Sequence, residues 1–461
     1  MNTRKILNLC CLISLTIFLL ACESTPNDVV EDSLHPDPDE QLSGGATTVF
    51  IASSQAFSTP APNLSSGALE KHLEGDLNFE QNFVKAPAEV NGGLGPLFNN
   101  VSCINCHIAD GRGRPPLGAE ELESMLIRIS IDGYAENGGP NPVPGFGGQL
   151  QDKSIFGFEA EGDINIVYQE ISGSYPDGSP YSLRKPIYTL TGNIPADVNI
   201  SPRVAPSIFG LGLLEAVKES DILANVDEYD ANDDGISGRA NYVWDVQLEQ
   251  AVIGRFGWKA NTPTLIQQSA AAYVNDMGIT NPLFKMENCH GNENCDTLSD
   301  DPEIDMAILE SVEFYCQTLG VPARRNFDDI DILKGKKLFN EVGCNSCHVP
   351  EFTTGNHKVA ELSGQKIFPY TDILLHDMGE ELADNRPDFL AGGREWRTQP
   401  LWGIGLVSVV NGHTMFLHDG RARSVEEAIL WHGGEAEKII EKFKKLPKEE
   451  REKLIKFVNS L

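Results

Sequence analysis

The spacing of apolar residues predicts helices in several separate segments of the chain. Apolar positions recur at helical intervals within residues 206–226, 262–277, 303–319, 329–340 and 448–461. In the last of these segments, Leu454, Phe457 and Leu461 form one apolar face that other parts of the protein have to cover. A further short helix is predicted over residues 93–98.

A different period occurs in the middle of the chain. Ile164, Ile166 and Tyr168 alternate with more polar residues, and Pro176-Asp177-Gly178 follows as a turn signal. This alternation predicts a β-hairpin or a small sheet within residues 155–190. Such an element does not fit a protein made only of helices.

The N-terminus has the pattern of an export signal. Arg4 and Lys5 precede an apolar run of 15 residues over 6–20, which is short for a membrane span and typical of a signal peptide. Small residues that end in Cys22 resemble a bacterial lipoprotein cleavage site. They predict that residues 1–21 are removed and that Cys22 carries a lipid, with an ordinary signal peptide or an uncleaved anchor as the alternative. Residues 22–45 are acidic and rich in Pro and Ser, which predicts a flexible tether.

The charge of the chain limits its partners. A formal net charge of −31 argues against nucleic acid or an anionic lipid surface as the binding partner. It is compatible with electrostatic attraction of a basic electron donor, although an acidic surface that keeps the protein soluble is the more frequent explanation.

Two copies of Cys-x-x-Cys-His are the most specific signal in the chain. They are Cys103-Ile-Asn-Cys106-His107 and Cys344-Asn-Ser-Cys347-His348, and they lie 241 residues apart. Two thiols with this spacing can bond to the two vinyl groups of one haem, and the adjacent histidine is then the proximal iron ligand. A redox-active dithiol or half of a zinc site gives no reason for the histidine. The motifs therefore predict two covalently bound haem c groups, whose attachment requires export.

Three further cysteines lie outside these motifs and the N-terminal segment. An oxidising compartment favours a disulfide between Cys289 and Cys295, the pair nearest in sequence. Cys316 lies in the predicted helix over 303–319, and we expect it to be a buried, inert thiol.

One acidic segment resembles a calcium-binding EF-hand loop. Asp230, Asn232, Asp234 and the carbonyl group of Ile236 occupy alternate positions, with a glycine at the turn. This spacing predicts oxygen atoms that converge on one calcium ion. Position twelve is Asn241 instead of the usual glutamate, so an acidic surface turn without calcium is the alternative.

The second axial position of each haem iron decides between electron transfer and chemistry. Candidate ligands in the second half of the chain are His376, Met378, His413, Met415, His418 and His432. In the first half, no histidine occurs between His107 and His290, and Met125 has the apolar neighbours of a core residue. The sequence therefore favours an open or weakly ligated iron at the first haem, where a substrate would bind.

Several longer segments resemble a known family. They are Arg203-Val-Ala-Pro-Ser-Ile-Phe-Gly-Leu-Gly-Leu-Leu-Glu215, Ile253-Gly-Arg-Phe-Gly-Trp258-Lys, Asp276-Met-Gly, His376-Asp-Met-Gly379, Glu395-Trp-Arg-Thr398, Pro400-Leu-Trp-Gly403, His418-Asp-Gly-Arg421 and Trp431-His-Gly-Gly434. Together they resemble the bacterial di-haem oxidoreductase family, often labelled thiol oxidoreductases or peroxidases, from about residue 46 to the end. More distantly, the chain is similar to bacterial di-haem cytochrome c peroxidases and MauG-type enzymes.

The resemblance implies a mainly α fold with two cytochrome c-like haem domains that face each other. We place the first domain at residues 46–328, with a large insertion that includes the predicted hairpin or small sheet. The second domain is placed at residues 329–461. The separation of 241 residues from the start of one motif to the start of the next leaves room for this insertion.

The resemblance also suggests roles for individual residues. In these peroxidases, a glutamine and a glutamate before Met-Gly line the pocket over the first haem. Gln267 and Asp276 have a similar register here, so Asp276 is expected to carry a proton between the peroxide oxygens while Gln267 orients it. His432 stands where a methionine ligates the second haem iron in those enzymes, and Met415 is the alternative ligand.

These observations lead to the hypothesis of a peroxidase-type oxidoreductase in the bacterial cell envelope, lipid-anchored to a membrane and facing the periplasm or the cell surface. Electrons from a small redox protein enter at the His348 haem. They pass to the His107 haem, through an aromatic residue such as Trp258 or Trp402, and reduce peroxide there. Two alternatives stay open: oxidation of a thiol or another sulfur compound, and electron transfer without catalysis.

Overall fold

The computed structural model describes residues 34–118, 120–288, 298 and 301–461. The predicted signal peptide, the lipidation site Cys22 and the predicted disulfide partners Cys289 and Cys295 lie outside these residues. Residues Pro36–Leu461 form one compact unit. Within the part of the chain that is described, no helix is both long and apolar enough to cross a membrane.

The helices of the described residues are mostly short, and side-chain caps fix the ends of the longer ones. They are α1 (Ser66–Phe79), α2 (Cys103–Cys106), α3 (Leu211–Glu215), α4 (Glu219–Leu223), α5 (Leu265–Met277), α6 (Met306–Thr318), α7 (Ile330–Val342), α8 (Val407–Val410), α9 (Val425–Trp431), α10 (Glu437–Lys445) and α11 (Lys448–Val458). Thr264 caps the start of α5 and Asp329 the start of α7. Gly278 and Gly343 end these two helices in the left-handed conformation that glycine favours.

The strands form many small sheets. They are β1 (Thr48–Val49), β2 (Val84–Lys85), β3 (Gly92–Leu94), β4 (Leu97–Phe98), β5 (Met125–Tyr134), β6 (Pro140–Asn141), β7 (Gln149–Leu150), β8 (Lys153–Ser154), β9 (Gly162–Ser174), β10 (Pro180–Gly192), β11 (Asn199–Val204), β12 (Tyr242–Asp245), β13 (Gln250–Ile253), β14 (Val321–Pro322), β15 (Phe352–Thr353), β16 (Lys366–Ile367), β17 (Leu375–Asp377) and β18 (Glu395–Arg397). The β5 strand pairs antiparallel with β11, β6 and β7, so that Arg128 lies opposite Ser201 on one side and Gln149 on the other.

The prediction of a mainly α fold is wrong, because the structure is 30% helical and 22% strand. The segment around Met125 and Ile127 was expected to contribute core residues, and it does so as strand β5, where buried residues alternate with less buried ones. Residues 93–98 form β3 and β4 instead of a short helix. The predicted hairpin is present as β9 and β10, which pair antiparallel over their whole length.

The β9–β10 hairpin packs against the C-terminal part of the chain. The Tyr175 hydroxyl donates a hydrogen bond to Glu426 on α9 (2.7 Å), and Asp177 in the hairpin turn pairs with Arg451 on α11 (2.9 Å). The Tyr188 hydroxyl donates to the buried carboxylate of Asp419 (2.7 Å). The insertion in the first half of the chain therefore stabilises the second half.

The end of the predicted tether also contacts this unit. Residues Pro38–Gln41 form a short 3₁₀ turn in which Glu40 is buried. The carboxylate of Glu40 pairs with Arg324 and Lys336. From about residue 38 onward, the chain is therefore held by ion pairs to the folded unit.

Candidate functional site

A single cavity is lined by residues of both Cys-x-x-Cys-His motifs. Its wall includes Cys103, Cys106, His107, Cys344, Cys347 and His348. Most of the remaining wall is apolar, and it includes the indole rings of Trp258 and Trp402. Tertiary packing therefore brings together two motifs that are 241 residues apart in sequence.

His107 follows α2, a single turn that places both cysteines of the first motif on the cavity wall. The His107 N–H donates to the carbonyl oxygen of Cys103 (3.0 Å), and the ring Nδ1 donates to the carbonyl oxygen of Pro206 (2.7 Å). Burial lowers the pKa of His107 to about 4, so the imidazole is neutral at neutral pH. A neutral ring that donates from Nδ1 has a free lone pair on Nε2, which is the form that binds a metal.

His348 repeats this arrangement in the second motif. Its N–H donates to the carbonyl oxygen of Cys344 (3.0 Å), its Nδ1 donates to the carbonyl oxygen of Tyr370 (2.9 Å), and burial lowers its pKa to about 4. Phe339 lies 6.3 Å from the His348 ring at an angle of 53°. Phe79 lies 6.3 Å from the His107 ring at 52°, so the surroundings of the two histidines are a structural repeat.

The residues of both motifs fit haem. The four thiols are free, and burial raises their pKa values, to about 12 for Cys103 and for Cys344. Each motif thus presents two uncharged thiols and one neutral imidazole to a mostly apolar cavity. This is the donor set that an apolar porphyrin with a proximal histidine requires.

His432 is the candidate axial residue that the structure places beside His348. It lines the same cavity, and its Nδ1 donates to the carbonyl oxygen of Ala428 (2.6 Å), which leaves Nε2 free. Burial lowers the pKa of His432. Burial lowers the pKa of His348 most, and the hydrogen bond to the Tyr370 carbonyl opposes this effect. The neighbouring His432 lowers the same pKa further, which shows that the two rings are near each other.

The other candidate histidines have both ring nitrogens engaged or are held in a stack. His376 lies between Asp372 and Glu435, with both nitrogens 2.8 Å from a carboxylate oxygen, and its pKa is raised well above the ordinary value although burial opposes this. His413 contacts the Arg112 carbonyl through Nε2 (3.0 Å) and accepts from a backbone N–H at Nδ1. His418 stacks on Trp396 with ring centroids 3.7 Å apart.

The two candidate methionines of the second half differ in position. Met378 lines the cavity, whereas Met415 is not among the cavity-lining residues. Among the described residues, His432 and His418 both line the cavity and have a ring nitrogen without a hydrogen bond, but His418 is stacked on Trp396 and His432 is the one beside His348.

Asp276 lies at the first motif. It is on the face of α5 that lines the cavity, and burial raises its pKa. Its Oδ1 accepts a hydrogen bond from the side-chain amide of Gln149 on β7 (2.8 Å). Gln149 is therefore the amide that orients Asp276, and it was not found from the sequence because it lies 127 residues earlier in the chain.

Gln267 is not at the cavity. Its side chain accepts from the Val246 N–H (3.0 Å) and donates to the Trp244 carbonyl (2.9 Å), so it holds the end of strand β12. Nine residues separate Gln267 from Asp276, and at 100° per residue they point to opposite faces of α5. The helical period could have shown from the sequence that Gln267 and Asp276 lie on opposite faces. The next residue, Gln268, lines the cavity instead.

The predicted calcium loop forms a tight turn. The carboxylate of Asp230 accepts from the N–H groups of Asp234 and Gly235, and Asn232 accepts from Asp234 (2.9 Å). The Asn241 side chain at position twelve bonds instead to the carbonyls of Lys259 and Asp388 and to the Leu390 N–H. The side chains of Asp230, Asn232 and Asp234 thus accept from backbone N–H groups of the turn itself, and calcium at these residues and at the Ile236 carbonyl stays a prediction.

Two other groups of chemically active side chains belong to the same cavity. Cys316 is buried beside Cys103, and burial raises its pKa well above the ordinary value, which agrees with the expectation of an inert thiol. Among the described residues, the one group arranged like metal ligands is Cys347, Asp372 and His376. It contains a cysteine of the second motif, so we assign it to the surroundings of that motif.

Comparison with known proteins places the chain in a family. Residues 38–461 match the family described as "Di-haem oxidoreductase, putative peroxidase". No curated protein matches the chain. The match extends over nearly the whole sequence and includes both motifs, so haem cofactors and an oxidoreductase function at the level of the family follow from it. The chain therefore belongs to the di-haem oxidoreductase family.

Proposed function

We propose that the protein is an exported di-haem c-type peroxidase, in which electrons from a small redox protein enter at the His348 site and peroxide is reduced at the His107 site. One observation carries this proposal: the two sites have different neighbours. A second neutral histidine, His432, lies beside His348, whereas a buried carboxyl group, Asp276, lies beside the first motif.

At the second site, the chain supplies two neutral imidazoles. Haem, when bound, supplies a redox-active iron at each motif. His348 and His432 are both fixed through Nδ1 to backbone carbonyls, so neither ring has to move when the charge of the site changes. This rigidity favours electron transfer over substrate binding at the second site.

At the first site, the chain supplies a proton carrier. Reduction of hydrogen peroxide breaks the O–O bond, consumes two electrons from the donor and two protons from solvent, and gives two water molecules. Asp276 accepts the proton of one peroxide oxygen and returns it to the other, because its raised pKa brings it nearer to neutral pH. Gln149 holds Oδ1, which leaves Oδ2 for the substrate.

Electrons have to pass between the two sites, and the aromatic residues of the cavity are the proposed route. Trp258 and Trp402 both line it. The Trp258 indole N–H donates to the carbonyl oxygen of Val204 (2.9 Å), which fixes the orientation of its ring. For the alternative, oxidation of a thiol substrate, the described residues offer no accessible protein thiol outside the two motifs, since Cys316 is buried with a raised pKa.

The test uses the matured, fully oxidised protein. We expect absorption and electron paramagnetic resonance spectra to show one haem that binds cyanide and one that does not. Asp276→Asn is expected to lower peroxide turnover with a reduced donor by about 10²–10⁴-fold. Asn275→Asp, one residue away, is the control, because it changes the charge at the same end of the helix and leaves the Asp276 carboxyl group in place. If neither haem responds to cyanide or peroxide, the protein is an electron carrier and the proposal fails.

Export and lipid anchoring belong to the same proposal. They rest on the N-terminal pattern and on the requirement that haem c be attached outside the cytoplasm. Labelled fatty acid is expected to enter the wild-type protein and not Cys22→Ser, and the variant is expected to leave the membrane fraction. A labelled Cys22→Ser protein would contradict this assignment.

A further inference from the structure

The side chain of Arg128 enters the cavity without a hydrogen-bond partner among the residues that the structure describes. Arg128 lies on β5, where Leu126 and Arg128 face the cavity while Ile127 and Ile129 face the core. The neighbours across the sheet are Ser201 on β11 and Gln149 on β7. The same Gln149 holds Asp276, so Arg128 lies on the strand next to the residue that orients the proposed proton carrier.

The other arginines of the cavity wall already have acceptors. Arg112 donates to the carbonyl oxygens of Met415 and Leu417. Arg203 pairs with Asp388 (2.8 Å), and Arg397 donates to a backbone carbonyl and to a glutamine side chain. Within the described ranges, Arg128 is therefore the cavity arginine whose side chain donates no hydrogen bond, so its five N–H donors are available.

The Arg128 side chain is partly buried, and its guanidinium lines the cavity without a hydrogen bond to the described residues. An acceptor that enters the cavity would therefore gain a charge-assisted hydrogen bond there. Burial lowers the pKa of Arg128, and the nearby negative charge of Asp276 opposes this. Asp276 accepts its side-chain hydrogen bond from Gln149, and no hydrogen bond or ion pair joins it to Arg128 in the described part of the chain, so the two act on each other only through their charges. Both side chains line the cavity, so a small ligand with negative charge that enters it can accept from the guanidinium.

We propose that Arg128 is the anion-recognition residue of the His107 site and binds the negatively charged form of a small ligand such as hydroperoxide. This inference rests on the proposed function and assigns a residue that neither motif spacing nor the family resemblance indicated. Asp276 takes the proton of the ligand, and Arg128 stabilises the charge that remains. A carboxylate side chain of haem could accept from the same guanidinium, so the experiment has to separate the two sources of negative charge.

Fluoride is the probe, because it is a small anion that reports hydrogen-bond donors near a ferric haem. Its dissociation constant is measured by absorption for the wild type, Arg128→Gln and Arg128→Lys, with neutral imidazole as a reference ligand. Arg112→Gln is the matched control, since it removes the same charge from the same cavity at a guanidinium that already has acceptors. We expect Arg128→Gln to weaken fluoride binding by about tenfold or more relative to imidazole. Arg112→Gln is expected to change it clearly less than Arg128→Gln does, because the Arg112 guanidinium already donates to two backbone carbonyl groups.

Three results would overturn the inference. The first is unchanged fluoride affinity in Arg128→Gln together with a shifted reduction potential, which would assign Arg128 to a haem carboxylate. The second is an equal loss in Arg128→Gln and Arg112→Gln, which would mean that only the net charge of the cavity matters. The third is a wild-type protein that binds imidazole but no fluoride. A wild type that binds neither ligand instead refutes the proposed function, and this inference with it.

Loss of folding in Arg128→Gln does not remove the test. Arg128→Lys keeps the positive charge and loses the planar, multiple-donor geometry of the guanidinium. We expect its ratio of fluoride to imidazole affinity to fall below that of the wild type. A ratio equal to the wild-type value would overturn the inference.

Discussion

Replacement of Asp388 by asparagine tests how the two halves of the chain are held together. Asp388 is buried in the loop before β18, and its Oδ2 contacts Arg203 on β11 (2.8 Å) and Arg386 (3.1 Å). The Arg386 side chain also donates to the Ile129 carbonyl on β5 (3.2 Å). Asp388→Asn keeps the shape of the side chain but leaves two buried guanidinium groups without this counter-charge.

The size of the effect can be estimated from the ionisation of Asp388. Burial alone would raise its pKa, but Arg386 and Arg203 outweigh burial and lower the pKa from 3.8 to about 2. This difference corresponds to about 2.5 kcal/mol of stabilisation of the folded, ionised state. Breaking one partner out of a buried ion pair typically costs about 3–5 kcal/mol. We therefore expect Asp388→Asn to lower the free energy of unfolding by about 2.5–5 kcal/mol at pH 7.

The assay is urea unfolding of the matured protein, followed by tryptophan fluorescence. Glu381→Gln is the control, because Glu381 pairs with Lys185 at 2.6 Å but both side chains are largely exposed, so a loss below about 1 kcal/mol is expected. The pH dependence adds a second readout. A carboxylate with a lowered pKa stabilises the fold above its unfolded pKa and loses this contribution as the pH falls through the folded pKa. The difference between wild type and Asp388→Asn should therefore be constant from pH 7 to 5 and shrink between about pH 4 and 2.

Two outcomes would refute this reasoning. A loss of less than about 1 kcal/mol at pH 7 would mean that the two guanidinium groups find other acceptors or water. A difference that stays constant down to pH 3 would mean that the effect of the substitution is not due to the charge of Asp388.

Three further predictions follow from the cavity. His432→Ala is expected to convert the haem at His348 from low spin to high spin, with recovery on adding imidazole; an unchanged resonance spectrum would exclude His432 as a ligand. Asp276→Asn is expected to retain both haems by mass while its peroxide turnover falls about 10²–10⁴-fold, and wild-type turnover would refute the proton-carrier role. Gly210→Ala would place a Cβ atom 2.6 Å from the Trp402 ring at a residue with φ of +73°, so a loss of about 1–3 kcal/mol is expected in thermal unfolding; an unchanged melting temperature would show that Trp402 has room to move.

The two haem-binding sites differ in the polar side chains that surround them. The His348 site is built around two fixed imidazoles, while the His107 site has a carboxyl group and a guanidinium as its polar neighbours. An enzyme that receives electrons singly but reduces a two-electron substrate can divide these roles, with one site for transfer and another for chemistry. The proposed division of roles follows from this difference in side chains and is tested by the cyanide, fluoride and His432 experiments together.

The sequence by itself located the residues whose chemistry depends on short spacing. Two thiols and a histidine within five residues define each motif, because the covalent chain fixes their separation whatever the rest of the fold. Asp276 and His432 were identified in the same way, from short segments that resemble a family. Gln267 was proposed from the same resemblance, but it does not lie at the cavity, because the helix turns its side chain away from that of Asp276.

Only the tertiary structure decided what depends on pairing across the chain. The β5 strand finds β11 some 70 residues later, and no local pattern specifies that partner, so the strand content was underestimated. Gln149 and Arg128 come to the side of Asp276 because β7 and β5 are hydrogen-bonded to each other and pack beside α5. A residue's own neighbours determine its helical or extended preference, whereas the residue that it meets across a sheet is determined by the packing of the whole core.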